Sequence, residues 1–161
     1  MLKTYLTDLI FTSPFAGSAW IVLFCIIVSS AIIFNAWFRR FPFPWATLED
    51  AFMDIWDKTK IYLPNALWQQ VLLVTIFFWL RTLIGLELSL IVSALFFGLI
   101  GHMGNPALMG WCAAMGLVYC LFYNRYPNVW ILVFAHGYLG TVFHSFTSES
   151  FNQGMRVWRR D

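Results

Sequence analysis

Residues 15–38 read FAGSAWIVLFCIIVSSAIIFNAWF, an apolar run without one charged side chain that stops at Arg39 and Arg40. A helix crosses the hydrocarbon core of a bilayer with about 20 mostly apolar residues. The run is long enough, and it sets the solvent for the rest of the chain. Of the 161 residues 60% are hydrophobic and 11% charged, against roughly 25% charged in soluble domains. A soluble domain of this size has too little interior to hide that much apolar surface. Nine Trp and seventeen Phe suit a lipid setting, where aromatic rings gather at the interfaces and in apolar packing. A net charge of +2 is too small for a nucleic-acid surface. The expected fold is all-α: a polytopic membrane protein with about five transmembrane helices and a short interfacial amphipathic helix, in one integral membrane domain over residues 1–161.

Downstream of Arg40 the stretch 41–44 holds two prolines, Pro42 and Pro44, and cannot extend the first helix. Thr47 then reads as an N-cap, with Asp50 three residues on in a variant capping box. Leu48, Phe52, Ile55 and Trp56 follow at helical spacing, opposite Asp50, Asp54 and Asp57. The pattern predicts an amphipathic helix over 47–58 lying in the interface. Four further spans are expected over residues 63–80, 88–103, 107–123 and 129–146, with turns at Gly104-Asn105-Pro106 and at residues 124–128. The third is short unless Glu87 is drawn in beside Arg81. The first run has no cleavage site after it and is expected to stay as an anchor.

Five spans put the two ends on opposite sides. Arg39, Arg40, Lys58, Lys60, Arg156, Arg159 and Arg160 would share one side, and Lys3, Arg81 and Arg125 the other. The bias predicts an outer N-terminus and a cytoplasmic C-terminus. Trp37, Trp45, Trp56, Trp68 and Trp111 would mark the inner interface, and Trp20 and Trp130 the outer one. Gly98, Gly101, Gly110, Ala113, Ala114, Gly116, Gly137 and Gly140 crowd the last three spans, where small residues let helix backbones approach. Gly110 and Ala114 form a small-xxx-small pair. The concentration predicts a compact C-terminal core with the first span peripheral. Cys25, Cys112 and Cys120 fall in apolar runs without metal-type spacing and read as buried thiols.

His102 and His136 lie inside apolar runs with no acidic residue near them. An ionisable group in a span costs about 2.5–3.5 kcal/mol if charged, so it marks a functional site by default. The residues from Trp68-Gln69-Gln70 through Phe97 and His102, then Gly116-Leu117-Val118-Tyr119, to Asn128-Val129-Trp130 and His136 resemble the core of the CPBP family of CAAX-protease and bacteriocin-processing membrane proteins. The resemblance covers about half the chain and implies a four-span CPBP-like core over 63–146. In that family a Glu pair and an Arg form the first motif, a Phe and a His the second, and a His and an Asn the third. A carboxylate activates water, and the His and Asn stabilise the oxyanion.

Carried onto this chain, the Glu pair falls on Gln69 and Gln70, the Arg on Val74 and the Asn on Gly140. His102 and His136 match, and Phe97 stands five residues before His102 instead of four. Gln cannot serve as a general base near neutral pH. The departures predict a non-catalytic pseudoprotease, an accessory or scaffolding subunit packed against other integral membrane proteins, in the inner membrane of a bacterium. No cofactor is expected on that reading. Two others remain open. One is a subunit of an energy-converting complex with a haem or chlorophyll-type pigment on His102, His136 or His144. The other is a peptidase with a relocated acid. A proton or solute path is a further use of such histidines.

Overall fold

Apolar periodicity, caps and turn residues assemble into five helices and no strand among the described residues. The computed structural model describes residues 17–39, 47–102 and 105–147, with side chains in the third helix described as far as Leu99. The helices are α1 (Ser18–Phe38), α2 (Leu48–Ile84), α3 (Leu86–His102), α4 (Pro106–Arg125) and α5 (Val129–Phe146). Four of them, α1, α2, α4 and α5, are long and apolar enough to cross a membrane, and α3 carries a shorter apolar stretch over Leu86–Leu99. The protein is an all-α, polytopic membrane protein.

The amphipathic stretch is not a separate interfacial helix. Residues 47–58 and 63–80 merge into α2, a single helix of 37 residues, about 55 Å long at 1.5 Å per residue. Its start is as the sequence indicates. Thr47 accepts from the Asp50 backbone N–H, and Asp50 returns the bond to the Thr47 N–H, both at 3.1 Å. Such a cap stabilises a helix by roughly 1 kcal/mol. The polar stretch that looked like a break, Asp57 to Lys60, is held inside the helix. Lys58 pairs with Asp54 at 2.6 Å and Lys60 with Asp57 at 2.7 Å. Pro64 lies within the helix and removes the donor that would reach the Lys60 carbonyl, yet the helix continues past it.

Each turn is closed by a residue with a local reason. Gly85 joins α2 to α3 with φ +79°, a conformation that suits glycine. Asn105 caps α4 through Leu108 N–H with Pro106 in its first turn. Asn128 caps α5 by accepting from Trp130 and Ile131 N–H.

Helix α5 is central. It packs along α2 and α1, α3 packs on α2 and α4, and α4 and α5 touch at few points. The pairings fix an alternating order. His136 meets Gln70 and Tyr62, Gly140 meets Tyr62, and His144 lies near Lys58 and Asp54, so α2 and α5 run antiparallel. Arg81 donates to Asn124 at 2.6 Å, bringing the end of α2 to the end of α4. Arg81 is thus engaged by Asn124. Ile32 and Ala36 share a cluster with Leu108, Val142, Phe143 and Phe146 at the opposite end. Arg39, Lys58 and Lys60 therefore lie toward one end of the bundle, and Arg81 and Arg125 toward the other. Trp68, expected at an interface, is level with the middle of α5 because α2 starts so much earlier.

The glycines explain the close approaches. A Cβ at Gly98 would run into the Met109 carbonyl oxygen and come within 2.9 Å of Ala113, and one at Gly116 would meet Phe97 at 3.1 Å. These two seat α3 on α4. Gly137 and Gly140 do the same for α5 on α2, facing Leu63 and Tyr62. Gly110 has nothing within 4 Å, and Ala114 beside it is exposed. That small-xxx-small pair faces outward. The tail from residue 148, Arg40, Trp45 and the His102 side chain lie outside the described residues.

Candidate functional site

His136 sits at the eighth position of α5 and is 8% exposed. Both ring nitrogens are engaged. Gln70 Nε2 approaches Nδ1 at 2.9 Å, and Nε2 of the imidazole lies 3.3 Å from Tyr62 Oη. With the amide placed this way its nitrogen donates to Nδ1, and the imidazole proton is then on Nε2 and is given to Tyr62 Oη. A neutral imidazole suits this set. That is the state a low-dielectric interior favours, since burying an unpaired charge is far more costly than burying paired dipoles.

Aromatic rings enclose the imidazole. Tyr119 from α4 stacks on it at 5.7 Å with 26° between the planes. Phe97 from α3 and Tyr62 from α2 meet it edge-on at 5.5 and 5.7 Å. Four helices thus meet at one side chain. Gln70 is fully buried, and its Oε1 has no partner. Turning the amide over would pair the oxygen and leave the nitrogen alone, so one end stays unpaired either way.

Of the residues singled out by the family resemblance, the described structure brings Gln70, Phe97, His136 and Gly140 to this centre. Gly140 has a clear steric reason. A Cβ there would lie 2.8 Å from the Tyr62 ring, so glycine lets Tyr62 reach His136. Val74 is 2% exposed in the apolar core, one turn beyond Gln70. Gln69 is half-buried, with its side chain within hydrogen-bonding reach of Tyr62 at the edge of the centre. His144 does not join the centre: eight residues along α5 is about 12 Å, and it lies within electrostatic reach of Lys58 and Asp54. Of His102 the structure describes only its place at the end of α3.

Tyr62 and Tyr119 escaped the sequence reading, because tyrosine in an apolar run reads as an interfacial or packing residue. The available signal was positional. Tyr62, Ala66 and Gln70 recur every fourth residue and share one face of α2.

The described carboxylates stay away from His136. Glu49, Asp50, Asp54 and Asp57 occupy the first three turns of α2, and Glu87 the first turn of α3. Among the described residues no three His, Cys, Asp or Glu side chains are grouped to hold a metal ion. A cavity of about 40 Å³ adjoins the centre, lined in part by Tyr62, Tyr119, Trp111 and His136. Cofactor-sized pockets run to roughly 300–1,000 Å³. With both nitrogens bonded and a phenol on its face, His136 does not fit axial ligation of a macrocycle.

Compared with family models, curated proteins and solved structures, the chain matches none.

Proposed function

We propose that this is a non-catalytic membrane protein, a CPBP-like pseudoprotease that serves as an accessory or scaffolding subunit of a complex of integral membrane proteins. One observation carries the reading. The amide of Gln70 stands where the resemblance would put a glutamate, and it is spent on a 2.9 Å hydrogen bond to His136. A carboxylate there would be a base. The amide is a lock, joining α2 to α5, and Gln70 itself cannot take a proton from water as a carboxylate would. A satisfied polar contact of this kind fixes helix packing in lipid.

The outward surface supports a packing role. Trp20, Ile26, Phe34 and Trp37 of α1 are all more than half exposed, and Gly110 with Ala114 leaves a smooth strip on α4 against which another helix backbone could close. The protein belongs, on this reading, in a bacterial inner membrane, with α1 entering from outside and α5 ending on the cytoplasmic side. The Lys and Arg distribution supports that orientation.

Gentle purification from the native membrane tests the reading. The expected result is a set of co-purifying membrane proteins, no visible absorption band and no peptide cleavage. Peptide hydrolysis by the purified wild-type chain, lost in His136→Ala while folding persists, contradicts it. For orientation, Glu49→Cys and Glu87→Cys in a background without the native cysteines should label from opposite sides, with Glu49→Cys cytoplasmic.

A further inference from the structure

Tyr119 is 2% exposed, and among the described residues its hydroxyl has no hydrogen-bond partner. Its ring is fully placed by its stack on His136 and its edge contact with Phe97 at 6.4 Å. A buried phenol without a partner is destabilising, and buried tyrosines normally find one. Beside the described residues, the space that Tyr119 borders is the cavity it lines.

We infer that this cavity is a hydration site, holding one or two ordered waters that bond Tyr119 Oη and link it to the Tyr62–His136 pair. Size sets the guest. A water needs about 10–15 Å³ of such space, so about 40 Å³ takes a pair of waters and excludes a lipid headgroup or a cofactor. Chemistry agrees. Tyr119 and Tyr62 line the space, and their hydroxyls supply the two polar contacts that a buried water needs at the least. Leu139, Trp111 and Phe143 form apolar walls, and among the described residues no charged side chain lines the space, so an ion would enter uncompensated.

The site also answers a structural need. Helices α4 and α5 touch at few points, and the cavity lies between them. A bridging water bonds Tyr119 of α4 to the α2–α5 pair across that gap. Such a bridge is enthalpically close to a direct hydrogen bond. The inference does not depend on the scaffold reading, since hydration of this space is compatible with any function.

Water-edited solid-state NMR on the full chain in lipid, with labelled tyrosine, tests it. The inference predicts magnetisation transfer from bound water to the Tyr119 ring at short mixing times. It also predicts that Tyr119→Phe lowers the thermal midpoint by about 2–4 °C, the scale of one lost hydrogen bond in a chain of this length. No transfer to Tyr119 in the wild type overturns the inference, and this arm stands even if Tyr119→Phe fails to fold. A midpoint that is unchanged or raised by Tyr119→Phe also overturns it, because deleting an unpartnered hydroxyl relieves a penalty. Xenon uptake by the wild-type cavity, the mark of a dry apolar void, does the same.

Discussion

Helices α1 and α5 both lack Asp, Glu, Lys and Arg, and both are long enough to span a bilayer. They take opposite places. In α1, 22% of the most apolar stretch is buried, and in α5 67%. The more apolar of the two is the one that faces out. The difference follows from the solvent. Lipid tails welcome Ile26, Phe34 and Trp37 as readily as a core would, so nothing drives α1 inward. Helix α5 carries His136, Gly137, Gly140, Thr141 and Ser145. Its polar groups need partners that hydrocarbon cannot give, and its glycines let neighbours come close. In this protein polarity and small size, more than hydrophobicity, mark the interior helix.

Substitutions that test the contrast should differ in size. The largest effect is expected for His136→Ala. It removes both hydrogen bonds, leaves the Gln70 amide wholly unpaired and opens a void among three aromatic rings, for a loss of about 3–5 kcal/mol. Denaturant titration in mixed micelles would measure it, and a loss under about 1 kcal/mol would break the contrast at its centre. Gly98 of α3, packed on the inner face of α4, and Gly110 on the outer face of α4 give a smaller, sharper test. Gly98→Ala drives a methyl into the Met109 carbonyl and should cost about 1–3 kcal/mol. Gly110→Ala, with open space around it, should be neutral or stabilise by up to about 1 kcal/mol through helix propensity. Equal effects at the two sites would mean that the outward face of α4 is misassigned. At the lower end, Ile26→Ala on α1, where the side chain is 57% exposed, should change stability by less than about 0.5 kcal/mol in lipid, read from the same titration.

Much of this arrangement could be read from residues alone. The long apolar run of α1, the cap at Thr47 and Asp50, the turn before Pro106 and the stop at Asn128 all have local causes, and local causes are visible in sequence. The peripheral place of α1 followed from where the glycines are. The continuity of α2 was hidden, because Asp57-Lys58-Thr59-Lys60 interrupts the apolar pattern and Pro64 adds a breaker. Ion pairs one turn apart and packing on α5 override both signals, and neither shows in a hydropathy trace. The centre was legible in its histidine and glutamine and illegible in its tyrosines. Tyr62 reaches His136 across 74 positions, and only the absent side chain at Gly140 makes room. Nothing local in the sequence announces that contact.

The central claim is that Gln70 and His136 act together as a structural lock between α2 and α5. A double-mutant cycle with Gln70→Ala, His136→Ala and the double variant, read as unfolding free energy in micelles, tests it most directly. The account predicts a coupling of about 1–3 kcal/mol between the two sites, the range for a buried pair in contact. Additivity within about 0.3–0.5 kcal/mol, the behaviour of independent sites, would contradict it.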